Sequence, residues 1–237
     1  MSGFFTLHRD LPREGPGEAA DVQWALAQIP VLAQVPGRVA DLACGPGADL
    51  VTLAGALPGA TVTGIDAQSH FVAAAQARVA GFGARVAVRQ GDMLDPGGPY
   101  DLIWCAGAIY MPGIAKALAR WRGALAPGGH ITFSAPVLVG GPDAITDEFW
   151  AGVPVVVDQA GIARLVAQAG FRTLATRLVI GQPWAGYYAP MAARIALLRP
   201  GAGADLSQVL DEAEREIALW RDHPAAIAYL LSVVAPA

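Results

Sequence analysis

Arg38-Val-Ala-Asp-Leu-Ala-Cys-Gly-Pro-Gly-Ala-Asp-Leu50 reads as an apolar strand that runs into a glycine turn and then into a helix. A helix that starts directly after a strand points unpaired backbone N–H groups, and the positive end of its dipole, at whatever lies over the turn. Gly45 and Gly47 lack the Cβ atoms that would keep a ligand off that backbone. A dinucleotide loop would read G-x-G-x-x-G, but the third position here is Leu50. Instead Asp41 stands four residues before the first glycine, giving D-x-A-x-G-x-G. A carboxylate there suits a ligand with a cationic amino group and repels a pyrophosphate.

Two further strands end in acids. Ala60-Thr-Val-Thr-Gly-Ile-Asp66 is short and β-branched, and its acid lies about 20 residues beyond the glycine turn, the spacing at which a carboxylate accepts both ribose hydroxyls of an adenosine. Arg85-Val-Ala-Val-Arg-Gln-Gly-Asp92 follows, with Asp92 placed to accept from an adenine amino group. The ordered acids Asp41, Asp66 and Asp92 resemble those of the class I S-adenosylmethionine-dependent methyltransferases, whose first motif is the glycine loop. Tyr100-Asp-Leu-Ile-Trp-Cys105 resembles that family's fourth strand, and Leu125-Ala-Pro-Gly-Gly-His-Ile-Thr-Phe133 its L-x-P-G-G entry into strand five. The resemblance spans roughly residues 39 to 179 and is strongest to the small bacterial methyltransferases of the methyltransferase-11/25 type. It implies a Rossmann-like α/β fold, a doubly wound, mostly parallel seven-stranded sheet with a final antiparallel strand and helical lid insertions. It also implies S-adenosyl-L-methionine as cofactor and S-adenosyl-L-homocysteine as product. The residues it places around that cofactor are Asp41, Ala43, Gly45, Gly47, Asp66, Ala67, Gly91, Asp92, Met93 and Cys105.

The chain has 237 residues, 54% of them apolar, enough to bury both faces of one sheet in a single domain over 1–237. Residues 1–10 lack the charged-then-apolar order of a signal peptide, and no uncharged apolar run reaches membrane-spanning length, so the expectation is a cytoplasmic protein with no membrane partner. A net charge of −4, with Lys116 the single lysine, argues against nucleic acid as a partner. Cys44 and Cys105 end apolar strands rather than forming a C-x-x-C pair, so free thiols and no metal site are expected.

From 38 to 135, strands at 38–43, 61–66, 85–89, 100–105 and 129–135 alternate with helices at about 48–57, 68–80 and 113–126, which predicts right-handed βαβ units. Ile114, Leu118, Trp121 and Leu125 form the core stripe of the third helix. Ahead of the sheet, residues 1–37 form an arm and a helix carrying Val22, Leu26 and Ile29 at helical spacing. Arg9, Arg13 and Glu14 read either as a solvated turn or as part of a strap, 11–17, folded over the cofactor. Residues 136–157 are a first lid insertion. Asp158 caps a helix ending at Gly170, and 171–180 is strand six. The second insertion, 181–224, opens on an expected loop, 181–190, before helices at about 190–199 and 205–221. Residues 226–235 are the buried final strand.

Methyl transfer from a sulfonium is an in-line displacement in which alignment supplies much of the acceleration. No Ser/His/Asp set stands out, and the residues after strand four, Cys105-Ala-Gly-Ala-Ile-Tyr110, lack both the N/D-P-P-Y motif of amino-methylating nucleic-acid enzymes and the acid pair of metal-dependent catechol enzymes. The residues expected to touch the acceptor are Tyr110, Tyr187, Tyr188 and His8, with Tyr110, Trp150, Trp184, Tyr187 and Tyr188 lining an apolar pocket for a small molecule. The competing readings are a cofactor-binding sensor or subunit without turnover, and a nicotinamide-dependent oxidoreductase.

Overall fold

The computed structural model describes residues 3–33 and 37–237. The expected first strand is β1, Arg38–Leu42, buried from its second residue onward. It pairs in parallel with β2, Thr61–Asp66, and with β4, Tyr100–Ala106. Strand β3, Val86–Gln90, extends one side and β5, Leu125–Leu138, the other. The last strand, β7, Ile227–Pro236, inserts between β5 and β6, Phe171–Val179, antiparallel to both. The order is therefore β3-β2-β1-β4-β5-β7-β6. Every residue of β7 from Ile227 to Ala235 is buried, as its unbroken apolar run requires of a strand covered on both faces.

Side-chain alternation along β1 and β4 sorts the core into two clusters. Val39, Leu102 and Trp104 join α2 (Ala19–Ala27), α3 (Ala48–Ala56) and α4 (Ser69–Val79) on one face. Ala40, Leu42, Ile103 and Cys105 join α5 (Ile114–Trp121) and α7 (Gln159–Gln168) on the other. Asp41 and Asp66 fall by the same alternation on the α2–α4 face. Leu50, which replaces the third glycine of a dinucleotide loop, packs where a Cβ on Gly64 of β2 would lie, 2.6 Å from its Cδ1. Gly64 thus makes the room that the missing glycine would have made.

Three expectations need correction. The helix expected at 113–126 stops at Trp121, and Leu125 belongs to β5, where it sits opposite Tyr100. The register between Tyr100 and Leu102 shifts around Pro127-Gly-Gly129, so strand five starts earlier and kinked. The expected loop at 181–190 is instead the start of one helix, α8, Gln182–Leu198. Pro183 sits in its first turn, where a missing N–H costs nothing, and Pro190 is carried inside. Trp184, Tyr187, Tyr188, Met191 and Ile195 are its buried stripe. The arm also begins with an unforeseen short helix, α1, Gly3–His8, whose Gly3 N–H donates to Asp205 Oδ2 of α9 (Ala204–Asp222) at 3.1 Å. Helix α1 lies against α8 and α9, and α9 also meets α6, Ala144–Phe149. These four helices enter the fold at its amino terminus and after β5 and β6.

Candidate cofactor and acceptor site

The turn after β1 needs left-handed backbone at three positions. Gly45 has φ +52° and Gly47 φ +84°, conformations open to glycine. Ala43 adopts φ +54° with a Cβ in place, a strained choice for an L residue. A Cβ on Gly47 would sit 3.0 Å from the Ala75 Cβ of α4, so this glycine also lets two helices close on the turn.

Asp66 fixes the turn. Its Oδ2 accepts from the Gly45 N–H at 2.9 Å, and its Oδ1 from the Gln68 N–H at 2.8 Å. The acid expected to meet a ribose therefore also ties the two loops of its site together. Asp41 is different. It is buried, and its Oδ2 has no hydrogen-bond partner. Burial pushes its carboxyl well above the usual carboxylate range, with the charges of Asp49 and Asp66 adding to the shift and Arg13 opposing it. A buried acceptor without a donor, beside a turn that offers open backbone, fits a ligand that brings a cationic amino group.

The remaining cofactor residues spread along the same edge. Ala67 and Asp92 are exposed and Gly91 half-buried. Asp92 Oδ1 accepts from the Leu94 N–H at 2.8 Å, which shapes the loop. Met93 is half-buried and its carbonyl accepts from Trp121 Nε1 at 2.7 Å. Cys105, by contrast, is fully buried in the α5–α7 cluster, while Cys44 packs in the α2–α4 cluster. The two thiols, although they stand at the ends of neighbouring strands, lie on opposite faces of the sheet. Both are free, and burial raises both above the ordinary thiol range.

The strap over the turn is the part the sequence left open between two readings. Arg13 donates to Gly15 O at 2.6 Å, to Gly17 O, and to Asp49 Oδ1 at 3.1 Å, while Asp49 Oδ2 accepts from Trp104 Nε1 at 3.0 Å. Arg78 of α4 holds Pro12 O at 2.6 Å. Glu14 then lies on the turn itself, its Cγ 3.2 Å from where a Gly45 Cβ would be, and its Oε2 pairs with His8 Nδ1 at 2.6 Å. Residues 12–17 are thus a strap across the glycine turn rather than a solvated loop. The signal available in the sequence was Gly15-Pro-Gly17, which allows such a sharp path.

The lid aromatics divide. Trp184 donates from Nε1 to Val179 O at 2.9 Å, and Tyr188 donates to Glu216 Oε1 of α9 at 2.7 Å; both side chains are buried. Trp150 stacks on Tyr229 of β7 at 5.8 Å between centroids, and Trp184 meets the same ring edge-on at 5.2 Å. These three spend their contacts inside the protein, Trp150 and Trp184 anchoring α6 and α8 to the sheet and Tyr188 anchoring α8 to α9. Tyr110 is half-buried, its ring 6.4 Å from that of Tyr229, a residue that sequence reasoning missed because it sits inside the apolar last strand. Burial raises the Tyr187 hydroxyl well above its ordinary range, and the charges of Glu216 and Glu14 push it the same way. Tyr187 thus feels the charge of Glu14, which lies on the turn, and Tyr110 follows the end of β4. The small cleft beside the strap is lined instead by Gly17, Asp21, Asp49, Trp104, Ser134 and Val179, among others.

A model of the methyltransferase domain family matches residues 39–129. A trans-aconitate 2-methyltransferase of Methylobacterium nodulans is 35% identical over 158 residues, which is 65% of this chain and 56% of that protein. One of Streptomyces avermitilis is 37% identical over 116 residues, 47% of this chain and 43% of that protein. The chain thus spans about half the length of these curated relatives. A SAM-dependent methyltransferase of Geobacter sulfurreducens, solved with S-adenosyl-L-homocysteine, shares the fold at a TM-score of 0.84 and 20% identity, covering 99% of this chain and 98% of that one. The glycine turn between two acids, the strand order with its inserted last strand and the match to the methyltransferase domain over residues 39–129 make this chain similar to the class I S-adenosylmethionine-dependent methyltransferases.

Proposed function

We propose that this protein transfers a methyl group from S-adenosyl-L-methionine to a small-molecule acceptor. The observation that carries this is the pair Asp41 and Asp66 flanking Gly45. One acid keeps a buried oxygen without a donor and the other already organises the turn. In this reading Asp41 faces the cofactor's amino group across the open backbone of residues 43–47. Asp66 accepts from the ribose on its remaining lone pairs. The loop 91–93, with Ala67, borders the adenine. When bound, the cofactor supplies a methyl carbon on a sulfonium whose leaving group is a neutral thioether. The chain's part is to align that carbon and exclude water. The strap 12–17 closes over the turn, and α1, α6, α8 and α9 form the lid. Tyr110 and Tyr187 are the hydroxyls available to orient an acceptor.

The acidic balance of the chain, −4, supports a small molecule over nucleic acid, and two unpaired thiols suit a reducing cytoplasm. Calorimetry with S-adenosyl-L-homocysteine and with NAD tests the reading. Micromolar binding of the first and none of the second is expected, and the reverse pattern would return the site to nicotinamide chemistry.

A further inference from the structure

Above the glycine turn lies a carboxylate that cofactor binding does not account for. Glu14 is held against Gly45, with its Oε2 on His8 Nδ1 at 2.6 Å, and its Oε1 is buried with no hydrogen-bond partner. The charged and titratable groups around it are His8 from α1, His70 from α4, Asp66 at the end of β2, and Tyr187 of α8, which feels the charge of Glu14. Its neighbour Arg13 is turned to Asp49. Glu14 is therefore within electrostatic reach of both the acid that would hold the ribose and the tyrosine that would orient an acceptor, and it lies on the turn beside which the methyl group would be held in the methyltransferase reading. Resting on the methyltransferase reading above, we propose that Glu14 is the general base of the transfer, positioned by His8, and that the acceptor presents an N–H or O–H rather than a carboxylate.

The acceptor's N or O lone pair forms a bond to the methyl carbon as the carbon–sulfur bond breaks, and that electron pair stays on sulfur as the thioether. The acceptor's proton goes to Glu14 Oε1 and leaves to solvent before the next turnover. A carboxylate acceptor has no proton to lose, and it would have to approach Glu14 and Asp66 against their charge. His8 is a positioning residue. Its bond lowers the Glu14 carboxyl against the burial that raises it. Without His8, the base should titrate at a higher pH.

The test uses the full chain and labelled S-adenosylmethionine, with a phenol, a catechol, a primary amine, a secondary amine and trans-aconitate as acceptor probes. Product is expected with at least one of the four protic probes and none with trans-aconitate. Glu14→Gln should cut that turnover by about 100-fold and remove the acid limb of the rate–pH profile. It should leave S-adenosyl-L-homocysteine affinity, read by calorimetry, within about threefold. Glu14→Asp, which keeps a carboxylate, should retain the limb, and His8→Asn should move it to higher pH. The proposal is overturned by methylation of trans-aconitate or by product from none of the protic probes. It is equally overturned by Glu14→Gln turnover close to wild type, or by a tenfold loss of homocysteine affinity in that variant, which would make Glu14 a cofactor anchor. Wild-type protein that binds no S-adenosyl-L-homocysteine would instead sink the methyltransferase reading itself.

Discussion

Asp66 Oδ2 receives the Gly45 N–H at 2.9 Å, so the acid ending β2 and the glycine turn ending β1 are one rigid unit before any ligand arrives. With the second bond from Gln68, both carboxylate oxygens are engaged by backbone. Asp66→Ala should therefore cost stability as well as affinity. Losing charge-assisted bonds at a buried site is worth about 2 kcal/mol, or roughly 4 to 8 °C in Tm for a chain of this size. Calorimetry should show at least tenfold weaker S-adenosyl-L-homocysteine binding alongside it. A variant that melts like wild type would show that the turn holds itself.

Asp41→Asn should do the opposite to stability. The native carboxyl is raised by burial, so the folded state binds its proton at a pH where the unfolded chain has released it. This contribution is therefore lost as pH rises from the ordinary carboxylate range near 4 through the folded value, and stays lost above it. The amide does not titrate. At neutral pH the variant should be more stable by about 1 to 3 kcal/mol, the gap closing towards pH 4, while cofactor binding falls. Denaturant titrations at both pH values separate these outcomes.

How legible the molecule was differs by region, for physical reasons. The parallel half announced itself because β1, β2 and β4 are short apolar strands between amphipathic helices, and each acid stands at a strand end. Asp158 capped its helix as expected, its side chain accepting from the Gly161 N–H. Helix α8 was hidden because Pro183, Gly186 and Pro190 read as breakers, although Trp184, Tyr187, Tyr188, Met191 and Ile195 keep helical spacing. The pairing of His8 with Glu14 was hidden for another reason. The two residues sit on a short helix and a strap that only the packing of α1 against α8 and α9 brings together.

Ala43 offers a cleaner test of backbone strain. At φ +54° an L residue pays about 1 to 2 kcal/mol that glycine does not, partly offset by the larger unfolded-state freedom of glycine. Ala43→Gly should gain up to about 1 kcal/mol without loss of homocysteine binding. A destabilised variant would mean that the Ala43 methyl, packed at the rim of the α5–α7 cluster, contributes more than its strain costs.

Cys44 and Cys105 are buried on opposite faces of the sheet, and both hold their protons tightly. A thiol reagent should find neither in the native protein at pH 8 and both after denaturation without reductant. Fewer than two in the denatured state would contradict free thiols. Rapid native reaction would mean that one face opens readily.

Arg13 is the residue that turns a glycine-rich segment into a strap. Its guanidinium closes residues 13–17 on themselves through Gly15 O and Gly17 O, then pins the loop to Asp49 on the first turn of α3. Side chains here are largely covered, 16% exposed for Arg13 and 12% for Asp49, so the pair is not the solvated kind whose worth is close to zero. Truncation to Ala removes one partner and leaves Asp49 with Trp104 Nε1 alone. Arg78 on Pro12 O still tethers the start of the strap, so the freed stretch should be 13–17 rather than the whole arm. Arg13→Ala should therefore make the Glu14–Gly15 bond cleavable by a glutamate-specific protease under conditions where wild type resists. The fluorescence of Trp104 should shift as its environment opens. If S-adenosyl-L-homocysteine lies beneath the strap, saturating ligand should restore part of the protection in the variant. Equal resistance of both proteins to the protease would show that packing, and not this guanidinium, holds Glu14 over the glycine turn.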